Sequence, residues 1–275
     1  IEFADKHSSG IDISDLLYYA INCRTSNTVK CLINLDSITP NVIQKAINDA
    51  IQVKYIDIIK ILLTKADDQV LNTKYDTQHW LPIERAVIMS NIEAVELLLE
   101  AKADVNTWLA EPPIKLACSQ QCDIKILQKL LAAGAKINNL PLKSWDYNPL
   151  GYSIFQGNFA AIKLLLEYGA NPNENTPNGT ALDVASSYYR GYSRDSLSIE
   201  EIFSLLVKYG ASTYNSSLSS AYLIEQYFEK IECTLNDLTI SREFSIDSVT
   251  LPIPKNVYTT TELIGEECHV ASFYE

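Results

Sequence analysis

One phrase returns four times along this chain of 275 residues. Leu97 to Asn106 reads L-L-L-E-A-K-A-D-V-N, and Leu130 to Asn138 reads L-L-A-A-G-A-K-I-N. Leu164 to Asn173 reads L-L-L-E-Y-G-A-N-P-N, and Leu205 to Ala211 reads L-L-V-K-Y-G-A. A helix end, a stop and a turn thus recur at a period in the thirties. Self-similarity of that length restricts the fold to a row of stacked units, each too small to bury its own apolar face.

Upstream of each phrase the register holds. Pro82-Ile83, Pro113-Ile114 and Pro149-Leu150 are matched in the last unit by Ala181-Leu182, and a small residue follows at Ala86, Ala117, Ser153 and Ala185. Proline in a first helical turn loses no hydrogen bond, because that N–H has no partner inside the helix. The small residue predicts a closely approaching neighbour helix. A second helix follows, with Val95 and Leu98, or Ile162 and Leu165, as its buried stripe. Gly134, Gly169 and Gly210 fall where a helix end requires a left-handed residue, and Thr180 precedes Asp183 by the three residues of a capping box. Two degenerate copies come first: Ala20, Val29 and Leu32 match Ala86, Val95 and Leu98 at a constant offset of 66, and Ala50, Ile59 and Leu62 match at 36. Six units are therefore expected between about Ser14 and Tyr214.

On these residues the chain resembles the ankyrin-repeat family, with Thr180-Ala181-Leu182-Asp183 standing where that family usually has T-P-L-H. The resemblance implies an all-α solenoid of about six helix-turn-helix units with short hairpin fingers. The organisation expected is a lead-in over 1–13, repeats over 14–214, an amphipathic capping helix over 215–238 and an acidic extended tail over 239–275. The family histidine position holds Glu84, Lys115, Gly151 and Asp183, so hydrogen bonding between neighbouring turns is expected to be weaker or differently arranged. The first two units keep only the apolar skeleton, and irregular hairpins are expected there.

Composition agrees. Apolar residues at 47% with 20% charged describe a folded chain. No apolar run is long enough to span a bilayer and no secretory signal is present, so a cytoplasmic protein without membrane insertion is expected. The only methionine is Met89, so the sequence reads as a processed form, a tagged form or a fragment of something longer. The net charge of −12 disfavours nucleic acid, and residues 215–275 alone hold ten acidic and three basic residues. A protein partner with a basic surface is one reading of this, and solubility is the other. The six cysteines are scattered. Cys118 and Cys122 share one face of a turn if helical, but no further pair completes a zinc site, so free, buried thiols are expected.

No nucleophile elbow, P-loop or zinc-protease motif appears, and Cys268-His269 are neighbours in sequence only. Neither catalysis, a cofactor nor a metal is expected, which leaves recognition by a monomeric protein-binding module. The resemblance implies binding through finger tips and first helices. Tyr75, His79, Trp80, Trp108, Trp145 and Tyr147 lie between units, and such aromatics are frequent binding anchors. For Trp80 and Tyr147, packing across to the next hairpin is the alternative. Tyr189 and Tyr192 lie in 186–198, a segment that breaks the period as 139–148 does. Insertions in stacked repeats gather on the binding face, although a loop also tolerates added length. Asn106, Asn138 and Asn173 each follow a leucine by eight residues, a form that in the family serves asparaginyl hydroxylases, and asparagine also stabilises turns locally. The acidic and then aromatic end, E-L-I-G-E-E-C-H-V-A-S-F-Y-E, resembles translocation signals of effectors that intracellular bacteria secrete into a host cytoplasm. A targeting half of a larger effector enzyme is the remaining alternative.

Overall fold

A computed structural model describes residues 12–75, 80–141, 146–189 and 199–212. His79, Trp145, Tyr192, the expected capping helix over 215–238 and the tail over 239–275 lie outside the described residues, as does the side chain of Tyr189. The chain divides into two compact units, Ile1–Ile137 and Asn138–Glu275. The described residues are helical and contain no strand beyond one isolated bridge, Thr176 to Gly179.

In the first unit the helices are α1 (Ile13–Asn22), α2 (Ser26–Leu32), α3 (Pro40–Gln52), α4 (Ile56–Leu63), α5 (Asp68–Asn72), α6 (Pro82–Ile88), α7 (Ile92–Glu100), α8 (Pro113–Leu116) and α9 (Ile124–Ala132). First helices α1, α3, α6 and α8 pack side by side in chain order, second helices α2, α4, α7 and α9 do the same, and each pair packs within itself. The second unit repeats this with α10 (Pro149–Phe155) against α12 (Ala181–Tyr189) and α11 (Phe159–Glu167) against α13 (Ile199–Lys208).

The small residues make this possible. Ala50, Ala86, Ala117, Ser153 and Ala185 are all 0% exposed, so first helices meet there almost backbone to backbone. Ser153 fits because its hydroxyl donates to the Leu150 carbonyl at 2.7 Å, leaving no unmet donor. Val95, Leu98, Ile162 and Leu165 line the second layer, all buried. In the first helix pair, α1 and α2, the register shifts by one, since Ile33 is buried and Leu32 is half-buried.

Helix ends are closed by one recurring device. Thr25, Tyr55, Asn91 and Asn158 donate their N–H groups back to Ala20, Ala50, Ala86 and Ser153 at 2.9–3.1 Å, and Ala103, Ala135, Ala170 and Ala211 do so to Leu98, Leu130, Leu165 and Leu206 at 2.9–3.0 Å. Each closure places the preceding residue in the left-handed region. Gly134, Gly169 and Gly210 fill that place at the second helices as expected, but Lys102 also holds it at φ 65°, and Arg24, Lys54 and Ser90 hold it at the first helices. Asp67, Asn91, Asp123, Asn148 and Asn158 cap the opposite ends through side-chain oxygens.

Two expectations are corrected. The α8 helix is only four residues long, so Cys118 and Cys122 lie in an irregular turn instead of on one helical face. Cys23 and Cys31 are exposed, not buried. The irregularity foreseen early in the chain takes the form of α5, a helical turn standing where a hairpin would be.

A side chain at a left-handed position costs about 1–2 kcal/mol, part of which glycine returns as unfolded-chain entropy. Lys102→Gly is therefore expected to raise stability by up to ~1 kcal/mol. Gly134→Ala, whose new methyl would meet nothing within 4 Å, should lower it by about the same through backbone strain alone. Urea denaturation of the two variants measures both.

Candidate functional site

The segments between helix pairs are held by side chains of neighbouring pairs. In the first unit, fully buried Gln44 donates from Nε2 to the Val70 carbonyl at 2.7 Å and the Thr73 carbonyl at 3.0 Å. Asn48 donates to the Trp80 carbonyl at 2.9 Å. Asn72 accepts the Asp104 N–H at 2.8 Å. Within the next loop, Asp104 accepts from the Asn106 N–H at 2.9 Å and the Thr107 hydroxyl at 2.6 Å. The Glu84 carboxylate, 0% exposed, accepts the N–H groups of Leu109, Ala110 and Glu111 at 2.9, 3.0 and 3.1 Å. At the family histidine position the arrangement is thus different, as expected, and dense rather than weak.

The second unit ties its loops in the same way. Glu174 accepts the Asn139 N–H at 2.8 Å and the Asn148 side-chain amide at 3.0 Å, and Asn178 donates to the Asp146 carbonyl at 2.6 Å. Thr180 and Asp183 make the capping box foreseen from their spacing, with the Thr180 N–H at 2.9 Å from the Asp183 carboxylate.

The three asparagines bridge successive repeats. Asn106 donates to the Gly134 carbonyl at 3.1 Å and accepts from the Lys136 N–H at 2.8 Å. Asn138 does the same with Gly169 and Asn171, and Asn173 with Gly210 and Ser212, all at 2.7–2.9 Å. Both ends of each amide are occupied, which accounts for asparagine at these positions.

The candidate aromatics differ in setting. Trp108 and Trp80 are half-buried, and neither indole makes a hydrogen bond among the described residues. Half-buried Tyr75 reaches the Gln69 carbonyl at 3.4 Å. Tyr147 folds back onto its own helix and stacks on Phe155, ring centroids 5.1 Å apart at 19°. Gly151 lies beneath that ring, and a methyl there would meet the Asn148 cap oxygen at 3.0 Å and the Tyr147 ring at 3.4 Å. Sequence reasoning missed Ile88 and Phe155, which are 41% and 44% exposed at the ends of first helices. Each stands two residues after the small residue, off the buried stripe, and a bulky apolar side chain in that register was the available signal. It also passed over Glu84 as more than a departure from the family pattern.

Electrostatics are modest. Burial pushes the Asp49 carboxyl above its usual range, against the lowering pull of Lys45 and Arg85. Burial likewise raises the Cys118 thiol far above its normal value, and it pushes Cys122 up to about 11. Among the described residues no cluster of His, Cys, Asp and Glu could hold a metal ion, and no helix is long and apolar enough to cross a membrane.

Paired short helices in two layers, joined by loops stapled to their neighbours, define a helical repeat protein. The model of the family described as ankyrin repeats matches residues 16–107 and 114–217, and the chain belongs to the ankyrin-repeat family. Ankyrin repeats generally mediate protein–protein interaction and are typically non-catalytic. The chain is 32% identical over 107 residues to ankyrin repeat and SOCS box protein 11 of mouse, covering 38% of this chain and 32% of that one. It is 31% identical over 102 residues to an ankyrin repeat protein of Acanthamoeba polyphaga mimivirus, covering 36% and 13% respectively. It therefore spans less than a third of the length of either relative. Its fold is similar to that of the ankyrin repeat domain of Bcl-3, a member of the IkappaB family, with a TM-score of 0.59 at 21% identity over 74% of this chain and 88% of that one.

Thiol chemistry checks this packing. Cys23 and Cys31 are expected to alkylate readily in the native protein, and Cys118 only after unfolding. Since the thiolate is the nucleophile, Cys122 labelling should stay slow at pH 8 and accelerate as pH approaches 11. Peptide-resolved mass spectrometry of alkylated samples reads all four sites.

Proposed function

We propose that the chain is a protein-binding module whose loops carry the anchors. Trp108, Trp80 and Tyr75, with Ile88 on α6, would offer the contact surface of the first unit. Tyr147, stacked on Phe155, would serve the second. Trp145, His79, Tyr189 and Tyr192 join this reading on their sequence positions alone. The observation that carries it is the contrast within the loop over 103–112: its backbone is held by Asn72, Asp104 and Glu84, while Trp108 stays half-buried and its indole N–H makes no hydrogen bond among the described residues. A loop ordered before association loses less entropy on binding, and a tryptophan buries a large area with few rotamers to freeze.

The charge balance supports a partner with a basic surface. With −12 overall, attraction to a basic partner is long-ranged and should weaken as salt shortens the Debye length. A host-directed effector role, with delivery into a host cytoplasm, is supported by the acidic and aromatic pattern of residues 262–275 and by nothing else.

Crosslinking capture with the intact chain, followed by affinity measurement on the purified partner, tests the anchors. Trp108→Ala is expected to weaken binding by about 30-fold, the ~2 kcal/mol typical of a truncated hot-spot residue. The melting temperature should hardly move, because the indole is not part of the buried core. Equal losses of folding and binding, or unchanged affinity, would sink this reading. Raising the salt concentration in the same assay should slow association if the partner surface is basic.

A further inference from the structure

Glu84 is a buried acid whose four partners are all backbone N–H groups. Oε2 accepts from Leu81 at 2.8 Å and from Leu109 at 2.9 Å, and Oε1 accepts from Ala110 at 3.0 Å and from Glu111 at 3.1 Å. The carboxylate has about four lone-pair sites, and all are used. Three of the donors are consecutive, so the backbone over 109–111 wraps the carboxylate as a nest wraps an anion. Charge-assisted bonds of this kind are roughly twice as strong as neutral ones. Leaving several buried donors unmet is costly, so this stretch of backbone has one favoured path while Glu84 is present. On its other side Trp108 follows a second clamped stretch, in which Asp104 holds Asn106 and Thr107.

We infer that Glu84 is the positioning residue of the Trp108 loop. Its carboxylate is the template on which residues 109–111 fold, and it fixes the direction in which Trp108 leaves the helix stack before any partner arrives. The inference deepens the binding reading and rests on it only for its purpose. The ordering of the loop is a property of the free protein.

The test uses the intact chain with Trp80→Phe and Trp145→Phe, so that fluorescence reports Trp108 alone. Glu84→Ala empties the nest. Amide exchange at Leu109, Ala110 and Glu111 should then accelerate about tenfold or more relative to amides in α7 and α9, as expected for losing charge-assisted bonds. Trp108 anisotropy should fall. Glu84→Gln keeps the shape and one acceptor oxygen, so it should fold and show a smaller acceleration confined to the same amides. Excess formate, a carboxylate that fits the emptied site, should restore protection in Glu84→Ala where equal chloride does not. Exchange that is unchanged in the loop, or raised equally across α6, α7 and α9, overturns the assignment, as does formate acting no differently from chloride. Because no partner enters these measurements, a binding reading that fails on Trp108→Ala would leave this result standing, and the reverse also holds.

Discussion

Everything in this molecule depends on burying short helices against their neighbours. The second helices α7, α9 and α11 are nine residues each, below the length at which an isolated helix persists in water. Their stability comes from stripes such as Val95 and Leu98, or Ile162 and Leu165, which have no apolar surroundings until the next pair arrives. The 0% exposed alanines of the first helices set how close that neighbour can come. Closure of helix ends by left-handed residues keeps each helix short enough to turn back into the layer.

Short helices leave long connecting segments, and such segments would ordinarily be mobile. Here polar side chains from the helices reach out and tie them down. Gln44 and Asn48 on α3 hold the segment that ends at Trp80, and Glu84 on α6 holds the one that carries Trp108. In the second unit Glu174 and Asn178 tie one loop to another. Burying Glu84 is tolerable because its carboxylate meets backbone donors that would otherwise go unpaired. The result is loop backbone tied at defined points beside half-buried aromatic side chains.

Much of this was legible in the residues. Repeats are self-reporting, since the same packing problem solved several times leaves the same apolar spacing. The layer order, the small-residue contacts, the glycines at Gly134, Gly169 and Gly210, and the Thr180–Asp183 cap could all be read from register. The positions that escaped are those where tertiary context overrides local preference. Lys54 and Lys102 adopt backbone angles that their side chains disfavour, because the closing hydrogen bond offsets the strain. The α8 helix stops after four residues although its start matches the others. The settings of the candidate aromatics were harder still. For Tyr147 the sequence left partner contact and packing both open, and its ring stacks on Phe155 of its own helix instead of on a neighbouring hairpin. Burial of Glu84 had little local signal, for three of its four partners stand 25 to 27 residues further along.

One register position, two residues before the buried small residue, has a further consequence. It is Asn48 in one pair, Glu84 in the next and Asp183 in another, bonded to a carbonyl, to amides of a following loop and to a helix cap respectively. The same register position thus serves a different bond in each of these pairs. Although the helix pairs look interchangeable, a pair lacking Glu84 would leave the N–H groups of Leu109, Ala110 and Glu111 without their acceptor. The place of this pair in the row is thereby set by a polar side chain as well as by apolar ones.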